Sequence, residues 1–403
     1  MSEHSTDILI AGGGPAGLIA AAAFGAEGYR VTCVDPAPPV TDETASGADM
    51  RTSALLQPSV RLLERAGIWD SLAPHGAALS TMRILDAGKG CARERPHPLM
   101  HDFKAEDISD QPFGWNFPNW AIRREALARI ERLPNVRFLP GRAVEGVVAR
   151  DDTALARLDD GTRLSAQLVV GADGRNSPLR EGLGIRTRRI SYGQKALAFA
   201  VTHPSPHENI STEIHASGGP FTLVPLPDRA GSPSSAVVWM EKGPEAERLA
   251  ALPLPDFEAA LNARAFEALG PLRVATRIAV WPIISQIALG FTGPRVALMA
   301  EAAHVVPPIG AQGLNMSLAD LACLIELANR NRAELGNPAM LTAYQRRRWP
   351  EVAARIAAVD ALNRTSMAGT PPVQIFRAGL LDMIHRIPTL RKGLMRVGLG
   401  AGV

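Results

Sequence analysis

The sequence is short of cysteine, of excess charge and of uninterrupted apolar stretches, and each shortage disfavours a class of protein. It contains 3 cysteines in 403 residues, none of them in a CxxC pair. A disulfide framework and a cysteine-rich zinc site are therefore disfavoured, and a reducing cytoplasm is the simplest compartment. The 9 histidines show no HxxxH spacing, so we expect no metal site.

An excess of one charge is also missing. The chain carries 43 Lys and Arg residues against 40 Asp and Glu residues, a formal net charge of +3. A dedicated nucleic-acid binder usually has a strongly basic domain, so we expect no nucleic-acid partner. At about 150 residues per domain, the length predicts two or three domains.

The uncharged run from Ile8 to Ala26 is interrupted by glycine. Its 19 positions approach the ~20 apolar residues that a membrane-spanning helix needs. The segment GGGPAG at 12–17 would break such a helix in its middle. The run therefore predicts a buried strand and a helix joined by a glycine turn, and Val31 to Val34 predicts a second strand, parallel to the first.

This strand, turn, helix and strand carry the GxGxxG spacing of dinucleotide-binding folds. Gly12 permits the tight turn, Gly14 lets the backbone approach a pyrophosphate, and Gly17 permits close packing of helix on strand. Asp35 ends the second strand, where its carboxylate can accept both hydroxyl protons of a ribose and would repel a 2′-phosphate. The motif alone does not separate FAD from NAD. The residues expected to contact the dinucleotide here are Gly12, Gly14, Pro15, Ala16, Gly17 and Asp35.

The rest of the chain predicts an antiparallel layer inserted between parts of the nucleotide-binding unit. The expected helices lie over 51–72, 124–133, 256–269 and 314–325. A hairpin turn is expected at Asp159 to Gly161, and short strands separated by Pro- and Gly-rich turns follow between 195 and 282. The pattern of a buried parallel strand returns at 295–299.

Two further segments indicate which dinucleotide to expect. Residues 171–177 read GADGRNS and end one buried strand, and residues 300–315 read AEAAHVVPPIGAQGLN and lead from another strand into a helix. With the glycine turn and the segment RTSAL at 51–55, the sequence resembles the flavoprotein aromatic hydroxylases of the para-hydroxybenzoate hydroxylase fold. It is most similar to their ubiquinone-biosynthesis branch. The resemblance covers nearly the whole chain, including 379–400, and is weakest in the middle, where a substrate ring would sit.

Pattern and resemblance together predict an α/β fold. A Rossmann-like FAD-binding domain would be interleaved with an antiparallel-sheet substrate domain and followed by a helical C-terminus. The FAD-binding parts are expected at 1–82, 121–190 and 283–345. The substrate domain is expected to comprise the insertion 83–120 and the sheet layer 191–282, with the C-terminal helical segment at 346–403.

The resemblance also implies roles around the flavin. Asp173 and Gly174 would contact FAD and help accommodate NAD(P)H, the transient electron donor, and Glu301 would bind a ribityl hydroxyl. Arg124 would contact the cofactor near the pyrophosphate. The residues implied to face or line the isoalloxazine, and so to act in catalysis, are Arg51, Pro307 and Pro308. Backbone amides at the pyrimidine edge would come from the segment of Gly310, Ala311, Gln312, Gly313, Leu314 and Asn315.

The chain departs from the family at one pair of residues. The usual Gly-Asp before Ala-Ala-His is Ala300-Glu301 here. Glu301 keeps the carboxylate but adds a methylene, and Ala300 lacks the conformational freedom of glycine. FAD is still expected to bind. We interpret His304, in the same segment, as a structural residue hydrogen-bonded beside the loop rather than as a catalytic base.

The activity that the resemblance implies is that of an FAD-dependent monooxygenase. NAD(P)H would reduce FAD, O2 would add at C4a, and the hydroperoxide would hydroxylate a phenolic ring, most closely that of a polyprenylated ubiquinone precursor. Two alternatives stay open. One is a hydroxylase of a soluble aromatic, polyketide or antibiotic substrate. The other is a low-turnover flavin-binding assembly subunit, whose partners would be other quinone-biosynthesis proteins.

The C-terminal segment is basic and amphipathic. The apolar residues on one helical face are Val373, Phe376, Leu380, Met383 or Ile384, and Ile387, and the basic residues after Asp382 are Arg386, Arg391, Lys392 and Arg396. Such a helix is typical of a segment lying on an anionic membrane surface, and also of a helix docked on its own protein. We therefore expect a cytoplasmic protein, with peripheral contact to the inner face of the membrane as one of these two interpretations.

Overall fold

The structure is a computed structural model that describes residues 4–87, 99–216, 218–367, 383 and 385–399. The strands are β1 (His4–Ala11), β2 (Val31–Asp35), β3 (Thr52–Leu56), β4 (Ala77–Leu79), β5 (Thr81–Asp86), β6 (Leu99–Lys104), β7 (Gly114–Pro118), β8 (Val136–Pro140), β9 (Val144–Ala149), β10 (Ala154–Leu158), β11 (Arg163–Gly171), β12 (Thr187–Thr202), β13 (Ile210–His215), β14 (Pro220–Arg229), β15 (Ser232–Lys242), β16 (Arg273–Val274), β17 (Ala279–Ala288), β18 (Thr292–Gly293), β19 (Val296–Leu298) and β20 (His304–Val305). The helices are α1 (Pro15–Ala26), α2 (Gln57–Ala66), α3 (Trp69–Leu72), α4 (Asn119–Glu131), α5 (Pro178–Gly182), α6 (Gly243–Ala250), α7 (Leu254–Ala265), α8 (Gln312–Arg330), α9 (Pro338–Met367) and α10 (Pro388–Leu399). They form two large sheets, a small sheet and flanking helices, which confirms the predicted α/β class.

The first large sheet has a parallel centre that carries the glycine turn. Its order is β18-β19-β11-β1-β2-β8, and β1 is parallel to both of its neighbours, β2 and β11. Ile8, Leu9 and Ile10 are all buried, as expected for a strand covered on both faces. β9 and β10 extend the sheet by antiparallel pairing, and β10 joins β11 through the hairpin predicted at Asp159 to Gly161.

Helix α1 is buried all round, which explains the long uncharged run in the sequence. Every residue from Gly17 to Gly25 is buried, and the helix packs against α2, α4 and α8. Small side chains suit this position: at Gly25, an added Cβ would lie 2.3 Å from Cγ2 of Val136 in β8. The alanine-rich composition therefore serves close helix packing inside the protein.

The second large sheet runs in the order β20-β17-β12-β15-β14-β13-β5-β6, and its neighbours are antiparallel except for β13 and β5. Its outer face, which includes Phe199, Phe221 and Trp239, packs against Phe257 and Leu261 of α7. Because side chains alternate along a strand, a second set faces the opposite way. We call this the inner face; its residues are Ala196, Ala198 and Ala200 of β12, Ala236, Val238 and Met240 of β15, and Trp281 and Ile283 of β17.

A small sheet corrects one prediction from the sequence. A single helix over 51–72 is wrong, because Thr52–Leu56 forms β3 and the helix α2 begins only at Gln57. β3 pairs with β7, whose residues lie far along the chain, and β4 pairs with the same strand. Helical periodicity cannot reveal such a distant pairing, although Pro58 in the first turn of α2 does mark a helix start.

The C-terminal part of the chain is helical where it is described. The predicted apolar face at Val373, Phe376, Leu380 and Ile384 lies outside the described residues. Helix α10 is attached to the body by an ion pair of 3.3 Å between Arg391 and Asp107. Within the described ranges, no helix combines the length and the apolar character needed to cross a bilayer.

Candidate active site

The glycine turn after β1 has the geometry that its residue types require. Gly12 has φ of +115°, and an added Cβ there would lie 2.2 Å from the carbonyl oxygen of Ala172. A Cβ at Gly17 would lie 1.9 Å from the carbonyl oxygen of Gly12. By contrast, no atom lies within 4 Å of a Cβ placed on Gly14. Two glycines are thus required by the fold itself, and the third faces open space beside the helix end.

The N-terminus of α1 offers backbone donors to that space. Its first hydrogen bond runs from the amide of Leu18 to the carbonyl of Gly14. No side chain caps the helix, and its first turn, which includes Pro15 and Ala16, contains no acidic residue. Amide groups ahead of Leu18 and the positive end of the helix dipole are therefore suited to an anion such as a pyrophosphate.

Asp35 fixes the turn from the end of β2. Its Oδ2 accepts a hydrogen bond of 2.5 Å from the amide of Gly13, and its Oδ1 accepts one of 2.9 Å from the amide of Ala37. A carboxylate has about four lone-pair sites, so both oxygens can accept a further bond from a hydroxyl group. The carboxylate is held by the backbone in the position where a ribose is expected.

Asp173 and Gly174 follow β11, the strand beside β1. Oδ2 of Asp173 accepts a hydrogen bond of 3.0 Å from the amide of Leu179, while its buried Oδ1 has no partner among the described residues. Burial raises the pKa of Asp173, despite the bonds it accepts. Gly174 has φ of +87°. A buried carboxylate oxygen without a partner is a group that a bound hydroxyl or amide would satisfy.

The turn after β19 carries Ala300 and Glu301. Ala300 has φ of +55°, the left-handed conformation that favours glycine, so this chain places alanine where the family's glycine would be unstrained. The side chain of Glu301 is 44% exposed and lies 3.4 Å from Nε of Arg175. Buried Arg180 donates a hydrogen bond of 2.9 Å to the carbonyl of Ala302, which ties this turn to the Asp173 segment.

A buried charged cluster lies behind the same turn. Asp320 of α8 accepts hydrogen bonds from Nε2 of His304 at 2.6 Å and from Nε of Arg348 at 2.8 Å. The amide of Ala300 also donates to Asp320, at 3.3 Å. Although burial alone would raise the pKa of Asp320, His304 and Arg348 hold it below its usual value. The hydrogen bond between His304 and Asp320 is consistent with a structural role for His304, which stays a prediction, and the sequence reasoning found neither Asp320 nor Arg348.

Helix α8 begins at the loop that follows. Pro307 is buried and Pro308 is exposed, and the amide of Ile309 bonds to the carbonyl of Pro307 at 2.8 Å. The N-cap residue, Ala311, has φ of +56°, and no side chain caps the helix. The members of this loop and first turn are Gly310, Ala311, Gln312, Gly313, Leu314 and Asn315. This uncapped N-terminus can offer backbone amides to an electron-rich ring edge.

The side chain of Asn315 is already used by the protein. Its amide nitrogen donates to the carbonyls of Ala54 and Ala311 at 2.7 and 2.6 Å, and its oxygen accepts bonds from Leu56 and Ser59. Asn315 therefore joins α8 to β3 and α2. Only its backbone remains for a cofactor.

Arg51 lies in a charged network that the sequence did not reveal. Its Nε and Nη2 each donate a hydrogen bond of 2.8 Å to buried Asp49. Asp49 also accepts bonds from Asn119 at 2.9 Å and from Arg123 at 3.4 Å. These bonds hold the pKa of Asp49 below its usual value against the effect of burial. On its other side, the guanidinium of Arg51 stacks over Trp281, 4.4 Å from the ring centroid.

Arg124 occupies a different environment from its neighbour Arg123. Its Nε donates to Glu125 at 2.8 Å, its Nη2 contacts Nε2 of His75 at 2.8 Å, and its guanidinium lies 5.0 Å from the ring of Trp120. The predicted contact of Arg124 with the cofactor near the pyrophosphate stays a prediction.

The predicted segments converge on one edge of the parallel sheet. Gly12 follows β1, Asp173 follows β11 and Ala300 follows β19, and these three strands are adjacent and parallel. Ligands of doubly wound folds bind outside the carboxyl ends of such strands. The open space at Gly14, the two uncapped helix N-termini and the unpartnered oxygen of Asp173 fit FAD. Segments far apart in the sequence thus form one surface.

Comparison with known proteins adds independent findings. A family model described as an FAD binding domain matches residues 5–359. The ubiquinone hydroxylase UbiL of Rhodospirillum rubrum is 33% identical over 403 residues, covering 99% of this chain and 90% of that protein. The 3-demethoxyubiquinol 3-hydroxylase of Escherichia coli is 25% identical over 407 residues, covering 99% of this chain and 100% of that protein.

Solved structures show the same fold. The p-nitrophenol 4-monooxygenase PnpA of Pseudomonas putida matches with a TM-score of 0.79 at 19% identity, over 99% of both chains. PqsL of Pseudomonas aeruginosa, in complex with 2-aminobenzoylacetate, matches with a TM-score of 0.76 at 24% identity, over 93% of this chain and 100% of that one. At these identities the likeness establishes the fold alone.

Proposed function

The chain belongs to the FAD-binding-domain family and is an FAD-dependent monooxygenase, and we propose that it hydroxylates the aromatic ring of a prenylated ubiquinone precursor. The observation that carries the proposal is similarity along the whole chain to two proteins named as hydroxylases of ubiquinone or demethoxyubiquinol, from different bacteria. The sequence motifs of the flavin site are consistent with the same assignment.

FAD, when bound, accepts reducing equivalents from NAD(P)H and activates O2. The protein itself has to bind and orient FAD. The glycine turn and α1 would hold the pyrophosphate, Asp35 the ribose, and Glu301 the ribityl chain. Asp173 and Gly174 would contact FAD and accommodate NAD(P)H. The loop with Pro307, Pro308 and Ile309, which we call the flavin loop, would orient the isoalloxazine together with the N-terminus of α8 and Arg51.

The inner face of the second sheet supports an apolar ring as substrate. Ala196, Met240 and Ile283 of this face form a buried cluster with Val359 of α9 and with Ile309, the residue that directly follows Pro308. Apolar side chains therefore line the sheet where it meets the flavin loop. Such a surface excludes water from the reaction, which protects a reactive flavin from wasteful decay.

The proposed activity can be tested by measuring NAD(P)H oxidation and product formation by the purified holoenzyme. We expect a prenylated phenol to stimulate NAD(P)H oxidation and to be recovered with one added hydroxyl group. Stimulation only by small soluble phenols would contradict the ubiquinone assignment. FAD binding without any stimulated oxidation would instead favour the low-turnover assembly subunit. In cells, deletion of the gene should cause hydroxylation-deficient quinone intermediates to accumulate, and an unchanged quinone profile would argue against the proposal.

The C-terminal helix supports a finer proposal, peripheral contact with an anionic membrane surface. Ile387, which directly precedes α10, and Leu390 and Leu394 of α10 are 42%, 37% and 47% exposed. Lys392 and Arg396 lie on α10 with Leu390 and Leu394. Exposed apolar side chains beside basic ones are the pattern of a helix that lies in the plane of a membrane surface. A membrane contact would also bring the protein to a lipid-soluble substrate.

Vesicle binding tests this contact. The full chain should sediment with vesicles that contain anionic lipid and much less with zwitterionic vesicles. Each basic residue near an anionic surface contributes about 1 kcal/mol, so replacing Lys392 and Arg396 by Gln should weaken binding by about thirtyfold. Arg330→Gln is the matched control, since it removes an exposed charge from α8 and should leave binding unchanged. Equal binding to both vesicle types would disprove the contact.

A further inference from the structure

The indole of Trp281 contains a buried hydrogen-bond donor that the protein leaves unused. Its Nε1 is shielded from solvent and has no acceptor among the described residues. Two other indoles with comparable donors are satisfied: Trp239 donates to Glu241 at 3.3 Å, and Trp349 donates to the carbonyl of Ala288 at 3.0 Å. A buried donor without a partner costs about 1–3 kcal/mol, so its retention needs an explanation.

Trp281 lies on the part of the inner face that is near the flavin loop. Trp281 and Ile283 are two residues apart on β17, so their side chains share the inner face. Ile283 belongs to the apolar cluster that contains Ile309 of the flavin loop. At its far end β17 pairs with β20, the strand that leads directly into Pro307. The unused N–H thus lies on the sheet face that meets the flavin loop.

A stacking contact holds the indole in place on one face. The guanidinium of Arg51 covers one ring face and is itself fixed by two hydrogen bonds to Asp49. The cross-strand neighbour of Trp281 is Ala196, and Ala198 follows on the same face, so the surface beside the indole is formed by short side chains. A flat ring can lie over short side chains while its polar substituent reaches the indole edge.

We propose that Trp281 is a specificity-determining residue whose Nε1–H donates a hydrogen bond to an oxygen substituent of the substrate ring. This inference rests on the proposed function, because it requires an oxygenated aromatic substrate. Trp281 would then select among ligands, because a ligand that lacks the ring oxygen leaves the Nε1–H donor unsatisfied and binds more weakly. An apolar compartment with one fixed donor selects the orientation of a ring as well as its chemistry.

Binding to the holoenzyme tests the proposal without turnover. The probes are ortho-prenylphenol and prenylbenzene, which differ only in the ring oxygen, and binding is followed by the change in flavin absorbance. We expect wild-type protein to bind the phenol about tenfold more tightly. Trp281→Phe should reduce this ratio to near one, and Trp281→His, which restores a ring N–H, should recover part of it. Trp239→Phe, on the outer face of the same sheet, should keep the wild-type ratio.

Different results would contradict the donor role of Trp281 and the proposed function. If wild-type protein binds both probes equally, or if Trp281→Phe keeps the tenfold ratio, the donor role of Trp281 is wrong. If Trp281→Phe weakens FAD binding instead, the indole serves the cofactor, and the assignment to substrate is again wrong. If neither probe perturbs the flavin and no phenol stimulates NAD(P)H oxidation in wild-type protein, the proposed function itself has failed.

Discussion

Asp320 of α8 accepts a hydrogen bond of 2.6 Å from Nε2 of His304, and both side chains are buried behind the turn that presents Glu301. The same carboxylate binds Arg348 of α9. One buried charge therefore joins the flavin-loop helix, the Glu301 turn and the C-terminal helical region.

The first prediction concerns this charge. Asp320→Asn keeps the shape but removes the charge that compensates Arg348, so we expect a loss of about 3–5 kcal/mol in the free energy of unfolding. FAD affinity should fall as well, because the turn at Ala300 loses its anchor. Denaturant unfolding and FAD titration measure the two effects. The control is Glu326→Gln, an exposed carboxylate on the same helix, for which about 0–1 kcal/mol is expected. Equal effects in both variants would refute the anchoring role.

The second prediction concerns the strained alanine. Ala300→Gly should stabilise the protein by about 0.5–1 kcal/mol, since relief of the left-handed strain exceeds the added entropy of the unfolded chain. FAD should bind at least as tightly as in the wild type. Ala302→Gly, in the same turn without positive φ, should destabilise by about 0.5–1 kcal/mol. Thermal unfolding compares them, and destabilisation by Ala300→Gly would contradict the strain argument.

The third prediction separates two glycines of one motif. Gly14→Ala should raise the Kd for FAD by about tenfold or more, yet leave the stability of the FAD-free protein unchanged, because only open space surrounds its added Cβ. Gly17→Ala should destabilise the FAD-free protein by about 1–3 kcal/mol, because its Cβ would collide with the carbonyl of Gly12. Thermal unfolding without added FAD, followed by FAD titration, distinguishes the two. Identical behaviour would argue against a pyrophosphate at Gly14.

The fourth prediction concerns alkaline pH. The chain has 3 tyrosines, and burial raises the pKa of Tyr29, Tyr192 and Tyr344. Burial and the hydrogen bond from its hydroxyl to Asp360 raise the pKa of Tyr192 to about 12. A raised folded pKa means stability that is fully present below the unfolded value of about 10 and is lost as the pH rises through the folded value.

Denaturant unfolding measures this effect between about pH 9 and pH 12, from roughly one pH unit below the ordinary tyrosine pKa of about 10 to roughly two above it. The free energy of unfolding should stay constant up to about pH 10 and then fall steeply as the pH rises further. Tyr192→Phe should show a shallower fall, because one of the three hydroxyls with a raised pKa is gone. A fall that begins well below pH 10, or an unchanged slope in Tyr192→Phe, would show that these tyrosines do not control alkaline stability.

Local patterns explain how much of the fold could be predicted from the sequence. The glycine turn and Asp35 lie within one short unit whose conformation depends on neighbouring residues, so the spacing was sufficient. β3 was missed because its partner, β7, lies far along the chain. The domain boundaries and the contacts of individual site residues with FAD stay predictions.

The missed site residues share a physical reason. Asp49, Asp320 and Trp281 act through partners brought together by tertiary structure, and spacing carries no trace of such contacts. One signal was present for Asp320, a charged residue between Leu318 and Leu321 on the apolar side of α8. A buried carboxylate needs compensating charge, so that position already required a cation nearby.

The strand order of the parallel sheet also determines when neighbouring strands can pair during synthesis of the chain. β11 pairs with β19, and roughly 120 residues separate the end of one strand from the start of the other. At ~5–20 residues per second, the ribosome needs about 6–25 s to make the intervening chain. Throughout that interval Val169, Val170 and Gly171 lack their partner strand on this side, because β10 pairs only with the start of β11, from Arg163 to Ala166. The cofactor site needs β19 and the segment after it as far as the start of α8, so a newly made chain can capture its flavin only after this late strand has been added.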